Sequence, residues 1–214
     1  LRFAVRQQTI HGYGDSCMIG DILPDILAEC GLDRASPDIG ENIFEMRQIR
    51  SLMNVAGRDI NTRVEWSRAQ GSFGVTSAAF GALPVDFQRM ANAGAVIFDG
   101  NDHIPVRPCV SPELWQLLEK FPPEQPYYLL RDGRIYFTVD TGAEGALVRY
   151  VSANWVSGTD AVASNADVTI FPERLLAKGT VWRWKRQKGL PYDDLMAEFE
   201  ADMESAARSD RGIQ

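Results

Sequence analysis

The stretch that most constrains this chain is its last quarter, where two helical segments of opposite charge meet at Gly189-Leu190-Pro191. The first, predicted over about 172–188, carries Arg174, Lys178, Arg183, Lys185, Arg186 and Lys188 against the single acid Glu173. The second, predicted over about 191–207, carries Asp193, Asp194, Glu198, Glu200, Asp202 and Glu204, with no base before Arg208. Glycine stops a helix and proline opens one, so the joint belongs between them. A small domain that ends in such a segregated pair is suited to being held by other protein. That points to assembly rather than chemistry.

Each helix has an apolar side. Trp182 aligns with Leu175 and Gly179, which assigns it to core packing. Trp184 points about 200° away from Trp182 on a helix of 3.6 residues per turn, so the two cannot form one stacking platform. The bases, with Arg183, Lys185 and Arg186 among them, then form an outer face for an acidic partner or for solvent. Tyr192, Leu195, Met196, Phe199, Met203 and Ala206 share a stripe on the second helix. That stripe either docks on its own domain or is offered to a neighbouring subunit, the helix-in-groove mode, and both can hold in part.

Upstream, residues 1–20 show no sustained period and read as an extended arm. Asp21 reads as an N-cap, with Ile22, Leu23, Ile26 and Leu27 at helical spacing, Pro24 in the first turn and Gly31 as the stop. A longer helix is predicted from about Ile39 to Val64, with Phe44, Ile49, Leu52, Met53, Ala56 and Ile60 as its buried face. The character changes at Trp66. Short β-like runs follow at Phe73–Phe80, Ala95–Phe98 and Ile104–Cys109, the last weakened by its prolines. Ser111-Pro112-Glu113 opens a short helix. Arg131-Asp-Gly-Arg between Tyr127-Tyr-Leu-Leu and Ile135-Tyr-Phe-Thr-Val is a strong hairpin signal. Ala146–Val151 is one more strand, extended by Asn154-Trp155-Val156. The order gives an α+β fold: helices at 21–64 and 172–188 frame an antiparallel β insertion of about 70–156, and residues 191–214 form a C-terminal helix and tail.

Composition sets the outer limits. The chain has 214 residues, 45% hydrophobic and 24% charged, enough for one core of ordinary size. No apolar run approaches the roughly 20 residues that span a bilayer. The first residues lack the apolar centre of a secretory signal, and Leu1 in place of Met implies processing, trimming or an unusual start. A net charge of −7 argues against a protein whose main task is gripping nucleic acid, though an acidic surface lets DNA pass without sticking. Three cysteines, Cys17, Cys30 and Cys109, contain no Cys-x-x-Cys pair, so they suit a reducing cytosol and give zinc no nucleus.

The chemical candidates are weak. Gly14-Asp15-Ser16-Cys17 resembles the nucleophile block of one esterase class. That chemistry needs a histidine base near the C-terminus, and the two histidines are His11 and His103. Asp99-Gly-Asn101-Asp102-His103 offers oxygens for a cation, but the twelfth position of an EF-hand count is Val110 rather than Glu, so a polar turn explains it. No phosphate-cradling glycine motif occurs. The expectation is a chain without catalysis, cofactor or metal.

Several blocks in order carry a resemblance. Leu83-Pro84-x-Asp86-Phe87, Pro112-Glu-Leu-Trp115-Gln, Tyr150-Val-Ser-x-Asn154-Trp155-Val, Trp182-Arg-Trp-Lys-x-x-Lys-Gly189-Leu-x-Tyr192 and Glu198-Phe199-Glu resemble the head-to-tail adaptor (connector) proteins of tailed phages. The likeness runs in patches over roughly 18–212, and its last block is the most specific. It implies a helical bundle with a β insertion, and a virion protein at the head–tail junction, assembled in the bacterial host cytoplasm. It further implies a dodecameric ring of identical subunits beneath the portal, carrying the tail or nozzle protein, through which DNA passes. The C-terminal segment would then meet the portal, through Tyr192, Leu195, Met196, Phe199, Met203, Arg208, Arg211 and Ile213. Arg183, Lys185, Arg186, Glu198 and Glu200 would pair between neighbouring subunits. Residues 1–17 depart from the family pattern. The alternatives are a tail-completion or terminator protein, a small hydrolase using Ser16, and a nucleic-acid-binding module using Arg183, Lys185 and Arg186.

Overall fold

The computed structural model describes residues 18–32, 34–92, 95–98 and 104–212. Residues 1–17 of the arm expected over 1–20, the Ser16 and Cys17 candidates, both histidines, the 99–103 turn and Ile213 lie outside the described residues, and Ile19 and Gly20 are helical rather than part of an arm.

Five helices and two sheets are found among them. Helix α1 spans Ile19–Glu29 and buries Ile19, Ile22, Leu23, Ile26 and Leu27. It begins earlier than the sequence suggests. Met18 occupies the cap position, and its backbone N–H donates to the Asp21 carboxylate (2.9 Å), so Asp21 works from the third helical position rather than as the cap. Pro24 consequently falls in the second turn, where it removes the bond to the Gly20 carbonyl. Helix α2 spans Phe44–Arg63, five residues shorter at its start than the expectation, and buries Met46, Ile49, Met53, Ala56, Gly57 and Ile60. Phe44, placed by the sequence on the buried face, is instead exposed.

The β region follows. Strand β1 is Gln70–Val75, β2 Phe80–Ala82, β3 Phe87–Met90, β4 Val96–Phe98 and β5 Arg107–Pro108. Helix α3 (Pro112–Lys120) is capped as its sequence requires, Ser111 Oγ accepting from the Leu114 N–H (3.2 Å). Strands β6 (Tyr127–Arg131) and β7 (Arg134–Phe137) form the expected hairpin. Asp132 and Gly133 both have positive φ (50° and 70°), as a two-residue turn of this hand demands. Strand β8 (Ala146–Ser152) is the spine of one sheet, with β1 along one edge and β3 and β4 along the other, all antiparallel. The second sheet runs β2-β7-β6-β5, its last pair parallel.

Strand β8 stops at Ser152 and does not continue through Asn154-Trp155-Val156. Side chains take its backbone acceptors instead: Asn61 of α2 donates to the Ser152 carbonyl (2.9 Å) and, more weakly, to that of Ala153 (3.4 Å). Trp155 turns into the helical core and stacks on Phe171 (5.8 Å between centroids, 12° between planes).

Helix α4 (Glu173–Gln187) lies at the centre of the bundle, packed against α1, α2 and α5 (Asp193–Asp210). Being surrounded, it buries both Trp182 and Trp184 although they point in different directions. Gly179 allows the closest approach: a Cβ there would lie 3.2 Å from both Ala56 of α2 and Phe199 of α5. Two apolar cores result, one among the helices with Trp66, Trp155 and Phe171, the other between the sheets around Val148, Ile135 and Phe137. Strand β8 joins them, giving Ala146 and Val148 to the second and Val151 to the first.

Candidate assembly interface

The residues predicted to meet partners sit on or beside α5, and the fold sorts them. Phe199 and Met203 are buried in the chain's own helical core. Tyr192 stacks on Trp182 (6.2 Å, 26°), and Leu195 packs at the edge of the same core. Of the two readings of this stripe, docking on its own domain accounts for these four. Met196, Arg208 and Arg211 are exposed.

The charged residues are likewise sorted by α4. Arg183 donates to Asp59 of α2 (2.7 Å) and to the Gly179 carbonyl (2.8 Å), with its guanidinium 4.2 Å from the Trp182 ring centroid. Burial pulls its pKa below the usual arginine range, and Asp59 opposes that fall. Glu200 accepts two hydrogen bonds from Arg63, which lower its carboxyl pKa. Lys178 bridges Glu198 (3.1 Å) and Asp202 (2.9 Å), and Lys185 lies 3.6 Å from Glu29. Within one copy Lys178 thus joins α4 to α5 directly, while Arg183 and Glu200 pair with α2 and Lys185 with α1. Arg186 is exposed and has no partner among the described residues.

Two sequence blocks, separate in the chain, meet at one place. The Asp86 carboxylate accepts from the hydroxyls of Tyr150 (3.0 Å) and Ser152 (2.7 Å), while Phe87 stacks on Tyr150 (5.7 Å, 28°). The Tyr150 phenol is raised above its ordinary pKa, first by burial and then by this carboxylate. The cluster is structural. It locks β3 and its preceding turn onto β8, at the junction of the two cores.

Among the described residues no group of three or more His, Cys, Asp or Glu side chains is placed to hold a metal ion. With both tryptophans buried, the Arg183–Arg186 segment offers no base-stacking platform. Among the described residues no helix is long and apolar enough to cross a membrane.

Exposed apolar groups are instead conspicuous. Around α3, Val110, Leu114, Leu117 and Phe121 are 91%, 42%, 55% and 64% exposed, and on α2 Phe44 and Val55 are 64% and 50% exposed. Apolar clusters of this kind mark protein contacts. Neither is evident from the sequence, which marks α3 only as a short helix and puts Phe44 on the buried face of α2. The same holds for a third surface. On the outer face of the second sheet Phe80 and Tyr136 are cross-strand neighbours, with Arg134 over the first (5.5 Å) and Arg131 over the second (5.0 Å).

A fold of this kind, with charges paired across its helices and uncovered apolar faces, is consistent with a building block, and comparison with known families decides its kinship. The family model described as SU10 adaptor protein matches residues 20–213, nearly the whole chain. The chain belongs to that family. Its name is that of a phage adaptor, a structural rather than catalytic class, in agreement with the resemblance to head-to-tail adaptors. Residues 1–17, which depart from the family pattern, fall outside the match. Among curated proteins no relative matches the chain.

Proposed function

We propose that this chain is a head-to-tail adaptor that closes into a ring of identical subunits, dodecameric in the form the family resemblance implies, between the portal and the tail or nozzle protein. The observation that carries the reading is the family match over 20–213. The exposed apolar clusters on α2 and α3 support it, because a chain that worked alone would gain by burying them.

In this reading subunits touch through two different surfaces, a heterologous contact that can close into a ring. Arg211 and the tail beyond α5 meet the portal, and Met196 borders that surface. The acidic chain, at −7, gives DNA a lumen it traverses without adhering. Assembly takes place in the host cytoplasm and the product stays in the virion.

The test is electron microscopy of the purified chain mixed with the portal ring of its phage. The expected result is a second ring, coaxial with the portal. A chain that ignores the portal but caps tail tubes is a tail-completion protein. Ester hydrolysis lost in Ser16→Ala would make it an enzyme.

A further inference from the structure

The outward faces of α2 and α5 match each other. On α2, Phe44, Arg47, Ser51, Val55 and Arg58 are all exposed, and at about 100° per residue they form one narrow stripe about 180° from the buried Ile49, Met53 and Ala56. On α5, Asp194, Ala197, Ala201, Glu204 and Arg208 are all exposed, about 180° from the buried Phe199 and Met203. Because α4 lies between α2 and α5, with Gly179 in contact with both, the two stripes look outward from different sides of the bundle. One copy cannot bring them together; two copies can.

We propose that the α2 stripe of each subunit packs, antiparallel, against the α5 stripe of a second copy. This rests on the ring reading and supplies the contact that would close it.

The charges and sizes agree position by position. Arg47 and Arg58 stand about 16 Å apart along α2, and Asp194 and Glu204 about 15 Å apart along α5, at 1.5 Å per residue. Between the bases lie Ser51 and Val55; between the acids lie Ala197 and Ala201, small enough to let the helices approach. In the antiparallel register Arg47 meets Glu204, Ser51 meets Ala201, Val55 meets Ala197 and Arg58 meets Asp194. Arg208 then falls over the exposed ring of Phe44, beside a cleft of about 480 Å³ that Phe44, Arg47 and Leu52 help to line. The antiparallel sense also sets the two helix dipoles in opposition.

These charges are little committed within one copy. Arg58 lies 3.5 Å from Asp160 and Glu204 lies 3.8 Å from Arg208, both pairs exposed and loose. Arg47 and Asp194 have no ion-pair partner among the described residues.

The experiment is a charge exchange read by sedimentation velocity and electron microscopy, alone and with the portal ring. Arg47→Glu with Arg58→Glu, and separately Asp194→Lys with Glu204→Lys, are expected to lower the assembled fraction at least about tenfold, since like charges then face each other. The fourfold variant carrying both exchanges is expected to assemble again. Circular dichroism of each variant shows that the monomer is folded. Rings formed equally well by either double variant, or a fourfold variant that stays dissociated, overturn this interface and leave the ring reading standing. A wild-type chain that forms no ring in either condition overturns both.

Discussion

The indole of Trp155 lies directly over Gly57, so close that any Cβ at position 57 would sit well inside contact distance of its six-membered ring. One glycine in the middle of α2 therefore sets where the segment after β8 enters the helical core, and with it the stack of Trp155 on Phe171. Gly57→Ala should destabilise the fold by about 2 kcal/mol through overpacking, despite the better helix propensity of alanine. Gly74→Ala is the control. Gly74 has nothing within 4 Å of an added Cβ and its φ is not positive, so a shift within about 0.5 kcal/mol is expected in urea titration. Equal effects at the two glycines would contradict this packing.

Asn61 holds the end of β8. It is fully buried, and its amide N–H donates to the Ser152 carbonyl. Asn61→Ala leaves that carbonyl without its donor and should cost about 1–3 kcal/mol. Hydrogen exchange should show faster opening of the amides of 153–156, while those of β6 and β7 stay unchanged. Uniform acceleration across both sheets would mean that the junction is not pinned locally.

Arg183 couples three helices, since it rises from α4, pairs with Asp59 of α2 and lies 5.6 Å from the Phe199 ring centroid of α5. Its side chain is 11% exposed, but that of Asp59 is 34% exposed, so solvent screens part of the loss. Arg183→Ala should cost roughly 2 kcal/mol. Arg183→Lys should recover less than half, because an ammonium cannot both lie on Trp182 and reach Asp59 with a planar fork. Full rescue by lysine in thermal melts would reduce the site to a simple charge.

Acid should loosen the attachment of α5. The Glu200 carboxyl is lowered chiefly by its hydrogen bond from Arg63, so it titrates at lower pH in the folded state than in the unfolded chain. Its contribution is fully present above the unfolded carboxylate range and is lost as pH falls through that range toward the folded pKa. Glu200→Gln should flatten the stability profile below about pH 5 and leave its slope near pH 8 unchanged. A profile identical to wild type would show that the pair contributes nothing.

Cys30, half-buried after α1, has its thiol pushed up to about 12, first by burial, an effect that nearby Lys185 only partly offsets. At pH 8 the native thiol should alkylate at least about tenfold more slowly than in denaturant, read by mass spectrometry of the Cys30 peptide. Because the folded state resists ionisation, this group lowers stability as pH rises above the unfolded thiol pKa. Native labelling as fast as in denaturant would contradict the burial.

Local chemistry was the most legible part of the sequence. Asp132-Gly133 fixed its hairpin and Ser111 its helix cap, because each acts within a few residues and against no competing signal. The terminal helices were legible from charge and period together, and the α+β order followed. Long-range competition hid the rest. Asn154-Trp155-Val156 looks like strand, yet Asn61, far away in sequence, ends the ladder. Phe44 is apolar, but at about 100° per residue it falls on the side of α2 opposite Ile49, Met53 and Ala56, so the helix turns it outward. The stripe on α5 divided for the same reason. Phe199, Met203 and Ala206 are buried in the helical core, whereas Met196 is left exposed. The Phe80–Tyr136 pair with its arginines depends on strand register, which no short motif encodes.

The central claim is that this chain joins two parts of a particle by its shape and has no reactive centre. It is tested most directly by growing its phage with the gene interrupted and imaging the particles. The account predicts DNA-packaging heads and separate tails that remain unjoined, restored when the chain is supplied in trans. Joined, infectious particles that lack the chain would contradict it.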